Sequence, residues 1–153
     1  MDEKRIAFQQ ALENAQKLGY AEADPSMDVD GTDAACKLAI IANWVMNKKV
    51  TLKDVRVQGI RNITLQDLEE AAGRDCTIIL IGSVNDNLKV RPTEISRHHP
   101  LCVGVVLNAV TFVSEFAGEE TIIGRGAGGM ETASAILRDL LDIKQNLATK
   151  LIT

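Results

Sequence analysis

The 153-residue chain is short of the features that mark several functional classes. No run approaches the roughly 20 apolar residues of a membrane-spanning helix, and the opening MDEKRIAFQQALENAQKLGY has no apolar core of signal-peptide type. The expectation is therefore a cytoplasmic protein without a membrane partner. A basic stripe is also missing: 17 Lys and Arg stand against 21 Asp and Glu, giving a net charge of −4. With so little positive charge to neutralise phosphates, no nucleic-acid partner is expected. The three cysteines, Cys36, Cys76 and Cys102, are scattered and embedded in apolar sequence, which fits buried free thiols better than a disulfide framework or a zinc site. His98 and His99 are adjacent, so they point opposite ways on an extended chain. With no acid or cysteine at ligand spacing, no metal is expected there.

What is present predicts one folded domain over 1–153. A hydrophobic content of 46% fits a core of useful size, and the length leaves no room for a second full domain. Ile6, Ala7, Ala11, Leu12, Ala15 and Leu18 recur at helical intervals and predict a helix over 2–18, with Gly19 placed to end it. A second helix is predicted over 32–47, with Leu38, Ile41, Ala42 and Val45 toward a sheet and Trp44 in that core or in an interface. Residues 50–60 read as a strand or extended segment with Val55 and Val57 on one face, and 65–72 as a short helix capped by Thr64 with Asp67 three positions on. A hairpin follows, 77–84 and 88–92 around Asn85-Asp86-Asn87, then strands at 105–116 and 120–123 and a closing helix within 129–149. This order predicts an α+β fold, helices on one face of a largely antiparallel or mixed sheet, with no Rossmann domain.

The chemistry concentrates in GYAEADPSMDVDGTDAACK, residues 19–37. Glu22, Asp24, Asp28, Asp30 and Asp33 crowd one loop, which Pro25 and Gly31 keep from continuing as helix until Thr32. Asp33 and Lys37 then stand four apart on one helix face, with Cβ atoms roughly 5–6 Å apart, so one small polar molecule can touch both. The same spacing also describes an ordinary surface ion pair, and acids ahead of a helix are favoured there by its dipole.

The string GYAEADPSMDVDGTDAACKLAI resembles the substrate-binding segment of homoserine dehydrogenases, G-Y-x-E-x-D-P, an acidic loop, then G-x-D-x-x-x-K, with every position filled. VRVQGIRNITLQDLEEAAG is similar to a G-I-x-x-I-T-x-x-D-[IL] segment of the same enzymes. The resemblance runs from about Phe8 to Ile143. It implies the reversible conversion of L-homoserine and NAD or NADP to aspartate 4-semialdehyde, on the route to threonine and methionine. Lys37 matches the proton donor to the carbonyl oxygen, Asp33 the residue that positions it, and Glu22 and Asp28 the ligands of the substrate ammonium. Asp24 and Asp30 are left as loop and capping residues. A homodimer through the sheet is also implied.

GRGAGG, residues 124–129, satisfies the literal G-x-G-x-x-G pattern between a predicted strand and a predicted helix. A dinucleotide fold needs a further strand and an acidic ribose ligand, and 24 residues forming one helix supply neither. A tight strand-to-helix turn is one alternative. The resemblance implies another: a loop closing the substrate domain near the nicotinamide end of the cofactor, with Gly128 the matching position and Thr132 and Ser134 at the helix start. Since the family's nucleotide-binding domain is not matched, the chain is expected to need one in trans. The other reading is a non-catalytic amino-acid-binding or oligomerisation module.

Overall fold

The computed structural model describes the whole chain except Glu3, Asp86, Val105, Val106, Ala127 and 151–153, together with the side chains of 148–150. Its residues fall into two compact units, Met1–His98 and His99–Thr153.

The first unit opens with α1 (Phe8–Lys17). The predicted helix over 2–18 starts late because Asp2 is engaged elsewhere: its carboxylate accepts from the Thr77 hydroxyl at 2.9 Å and from Arg97 Nη2 at 2.8 Å. Arg5, at φ 49°, then turns the chain into the helix. At the far end Gly19 takes φ +75°, as a helix-terminating glycine does. A single turn, α2 (Ser26–Val29), interrupts the acidic loop before α3 (Thr32–Trp44). α3 stops short of the expected Asn47, where φ is 51° and the Asn43 amide has already bonded the backbone of Val50 on both sides. Within 50–60, expected as a strand or extended segment, stand a 3₁₀ turn (Leu52–Asp54) and the three-residue β1 (Val55–Val57). α4 (Leu65–Ala72) begins on the expected cap, Thr64 and Asp67 bonding each other reciprocally.

β2 (Cys76–Val84) and β3 (Leu88–Ser96) form the expected antiparallel hairpin, and β1 adds in parallel to β3, giving the order β1-β3-β2. The hairpin turn contains Asp86, which lies outside the described residues. β3 continues past Pro92, where the sequence reading stopped. Its pairing with β1 covers only Leu88–Val90, so Pro92 sits where one edge is open and needs no N–H.

The core lies where α3 meets this sheet. Its buried stripe is Ala35, Leu38, Ala39 and Ala42, spaced one helical face apart, over Val55, Leu88 and Val90. Leu80 and Val84, of one parity on β2, pack against the same cluster. Small residues bring helix and sheet close: a Cβ on Gly82 would stand 3.2 Å from Leu38 Cδ1, and one on Gly31 3.1 Å from Val57 Cγ1 and 3.4 Å from Val90 Cγ1. The outer end of the predicted stripe is not buried, since Val45 is 59% exposed. Trp44, at 88% exposed, is excluded from the core.

The second unit is a hairpin of β4 (Leu107–Ser114) and β5 (Gly118–Arg125) followed by α5 (Gly129–Lys150). The Thr111 and Thr121 hydroxyls meet across the hairpin at 2.8 Å. No described residue of this unit is buried. Across both units the architecture is α+β, with one mixed and one antiparallel sheet. No helix among the described residues is long and apolar enough to cross a membrane.

Val90 is the largest fully buried side chain of the core, at 1% exposed, and its Cγ1 would stand 3.4 Å from a Cβ on Gly31, just before α3. Val90→Ala should lower the unfolding free energy by about 2 kcal/mol. Chemical denaturation checks this: the midpoint falls while the denaturant slope stays constant.

Candidate active site

The acidic loop is held by its own chain and by the segment that leaves β1. Gln16 Nε2 donates to the carbonyls of Glu22 at 2.9 Å and Ala23 at 3.3 Å, tying the loop's entry to α1. The Ser26 hydroxyl, and then its N–H at 3.1 Å, hold the Asp24 carboxyl below its usual pKa. Farther on, the Ile60 N–H donates to the Val29 carbonyl at 2.9 Å. Gly59 lies so close beneath that a Cβ there would run into the Val29 carbonyl and stand 2.6 Å from the Asp30 Cα. Arg61 then grips Asp30 with two parallel donors, Nε to Oδ1 and Nη2 to Oδ2, the latter at 3.0 Å. The guanidinium pushes the Asp30 carboxyl below its ordinary value, and Asp30 in turn raises Arg61.

Sequence reasoning left Asp30 as a loop residue and missed Arg61 altogether. The two are 31 positions apart, and only the surplus of acid in the loop hints that a cation must come from elsewhere.

Gly31 turns the chain at φ +80° and α3 begins. Since Ala35, Leu38, Ala39 and Ala42 face the sheet, Asp33 and Lys37 are left on the outer surface of the helix. Lys37 Nζ lies 2.6 Å from Asp33 Oδ2, with the two side chains 58% and 40% exposed. Ile40 and Trp44 continue the same exposed face, at 61% and 88%.

The five acids thus sort into two groups. Asp24, Asp30 and Asp33 are each satisfied from within the protein, by Ser26, Arg61 and Lys37. The side chains of Glu22 and Asp28 are exposed and have no hydrogen-bond or ion-pair partner among the described residues. The structure therefore brings Asp33 and Lys37 into contact, and places Glu22 and Asp28 on the loop that enters their helix.

Gly128 belongs to the second unit. It has φ +134°, and a Cβ there would stand 2.9 Å from the Glu131 carboxyl carbon, whose Oε1 is also 3.6 Å from Arg125 Nη1. Gly126 is packed just as closely on Asn108, with Cγ 2.6 Å from where a Cβ would be. Of the three glycines in the dinucleotide-like pattern, Gly124, Gly126 and Gly129, only Gly126 thus lies against a side chain. α5 starts at Gly129, and the Thr132 N–H donates to the Gly128 carbonyl at 3.0 Å.

His98 faces Asp75 at 3.1 Å, and His99 Nδ1 accepts the Leu101 N–H at 3.0 Å. The cysteines are free, and each is half-buried where full burial was expected.

The family model for homoserine dehydrogenase matches residues 1–141. The chain belongs to the homoserine dehydrogenase family. Among curated relatives, homoserine dehydrogenase of Methanocaldococcus jannaschii is 44% identical over 144 residues, 94% of this chain and 43% of that protein. An NAD(+)-dependent homoserine dehydrogenase of Pseudomonas canavaninivorans is 40% identical over 95% of this chain and 43% of its own length. The crystal structure of homoserine dehydrogenase from S. aureus superposes with a TM-score of 0.86 at 37% identity, over 95% of this chain and 38% of that one. The 153 residues thus span less than half the length of these homoserine dehydrogenases.

The Asp30–Arg61 pair gives a pH prediction. The folded pKa of Asp30 lies below its unfolded value of about 3.9, so its contribution is complete above that value and is lost as pH falls through the folded pKa. Carboxyl NMR titration should find Asp30 ionising below the ordinary aspartate range, and Arg61→Ala should return it there.

Proposed function

We propose that residues 1–153 form one substrate-binding and catalytic domain of a homoserine dehydrogenase. The reaction is L-homoserine and NAD(P)+ to L-aspartate 4-semialdehyde and NAD(P)H. The observation that carries this is the sorting of charge in the acidic loop. Glu22 and Asp28 are left for a cation, while Lys37 is held on Asp33 in the helix that their loop enters. An amino-acid substrate brings an ammonium for the two carboxylates. In the reducing direction, hydride reaches the carbonyl carbon and the oxygen becomes an alkoxide. The Lys37 ammonium gives that oxygen its proton and recovers one from solvent. Asp33 holds the Lys37 nitrogen in place. In the oxidising direction Lys37, as the neutral amine, takes the hydroxyl proton while the hydride leaves for the nicotinamide.

The cofactor supplies only the hydride. Gly128 is assigned to the approach of its nicotinamide end, where a residue without Cβ lets backbone come near. The pyrophosphate and ribose contacts, and with them the choice between NAD and NADP, are assigned to a nucleotide-binding domain outside residues 1–153, in the same chain or in trans. The setting is cytoplasmic threonine and methionine biosynthesis.

A homodimer through the sheet is part of this reading. Val113, Phe116, Ile122 and Ile123 of the β4–β5 hairpin are 74%, 96%, 66% and 50% exposed, more apolar surface than a monomer leaves in water. Light scattering at micromolar concentration should give the mass of two copies.

The second reading, a binding module without catalysis, draws on the exposure of Lys37. Steady-state assays of the domain joined to or reconstituted with a nucleotide-binding domain separate the two. Lys37→Ala should cut turnover by roughly 10²–10⁴-fold, the usual worth of a positioned acid or base. Glu22→Ala should chiefly raise KM for homoserine. Unchanged turnover in Lys37→Ala would leave only the binding module.

A further inference from the structure

We propose that Arg61 is a positioning residue for substrate binding, acting through Asp30 to hold the turn that presents Asp28. This rests on the assignment of Glu22 and Asp28 to the substrate ammonium. Asp28 sits in α2, a helix of only four residues. One turn of helix is unstable on its own, since its nucleation cost is not recovered by further hydrogen bonds. Its position must come from contacts outside it, with α3 and with 58–61. The Gln58 N–H donates to the Val90 carbonyl at 2.8 Å, which fixes this segment to β3. Gly59 and the Ile60 N–H then bear on Val29 and Asp30 from below. Arg61 completes the grip with its two-point bond to the Asp30 carboxylate.

The backbone contacts hold the chain at Val29. The guanidinium fork fixes the orientation of Asp30, two residues after Asp28 and directly before Gly31, where α3 begins. A planar fork on a planar carboxylate restricts rotation in a way a single contact does not. An ordinary exposed ion pair adds little stability, so the pair should show itself in substrate affinity more than in unfolding.

The test is homoserine oxidation by the domain with its nucleotide-binding counterpart, comparing Arg61→Ala, Arg61→Lys, Asp30→Asn and the double variant Arg61→Ala/Asp30→Asn, with Glu22→Ala alongside. Arg61→Ala should raise KM for homoserine about 10-fold with kcat within about twofold. Arg61→Lys, which keeps the charge and loses the fork, should recover only part of that. The double variant should be no worse than the poorer single, because both remove one contact. Thermal unfolding should barely move. An unchanged KM in Arg61→Ala while Glu22→Ala raises it overturns this proposal and leaves the site assignment standing. So does a double variant whose losses multiply, or a fall in unfolding midpoint and kcat with KM intact. Glu22→Ala without effect on KM, or a parent with no homoserine-dependent turnover, overturns the site assignment and this proposal together.

Discussion

The close seating of α3 on the three-stranded sheet is the constraint on which the first unit depends. Three alanines, Ala35, Ala39 and Ala42, and two glycines, Gly31 and Gly82, remove the bulk that would keep helix and strands apart. What they contribute is distance, because alanine offers little apolar area of its own. Val90 and Leu38 fill the space that remains. The two residues proposed for catalysis are placed as a consequence. With one face of α3 committed to the sheet, its first turn turns Asp33 outward, and Lys37 follows one turn later on the same side. The start of the helix has little freedom to slide, since a side chain on Gly31 would press on Val57, Val90 and Leu80.

Legibility follows the range of the forces. The α4 cap, the glycine stop of α1, the start of α3 and the β2–β3 hairpin are all decided by neighbours within a few residues, and the sequence pattern predicts each. Misread elements were decided at a distance. The first residues read as helix by periodicity, yet Asp2 bonds to Thr77 and Arg97 across most of the unit. Pro92 looked like the end of a strand because nothing local says that the neighbouring β1 stops at Val57. The alanine face of α3 was masked by larger residues: Ile41 and Val45 dominate a hydrophobic pattern, while Ala35 and Ala39 make the contact.

The same contrast holds at the site. Asp33 and Lys37 were legible as a pair, because i,i+4 spacing on a helix is a local geometry. Glu22, Asp28 and Gly128 were named by family pattern, which assigns roles without showing what surrounds them. Around Gly128 the structure adds Glu131, folded back over the glycine and facing Arg125, a contact within one strand-to-helix turn that no glycine pattern encodes. The second unit carries a broader lesson. Ile136, Leu137, Leu140, Leu141 and Leu147 of α5 are 49% to 58% exposed, although their spacing is that of a helix built to be covered. Amphipathic periodicity records that a face is to be buried and is silent on what buries it.

Crowding five carboxylates between positions 22 and 33 would be costly if all of them faced one another across water alone. The fold relieves this unevenly. A hydroxyl and an N–H take Asp24, a guanidinium from 31 residues away takes Asp30, and a lysine one turn on takes Asp33. Each acid so paired already has a partner within the protein, so it is less available to an incoming cation than an unpaired one. Glu22 and Asp28 keep their charge and their exposure. A loop whose purpose were only to cap α3 would need one acid at its start, and Asp33 already occupies the first turn. The two left over add repulsion and no structure, and a bound ammonium group is the partner that would turn that repulsion into affinity.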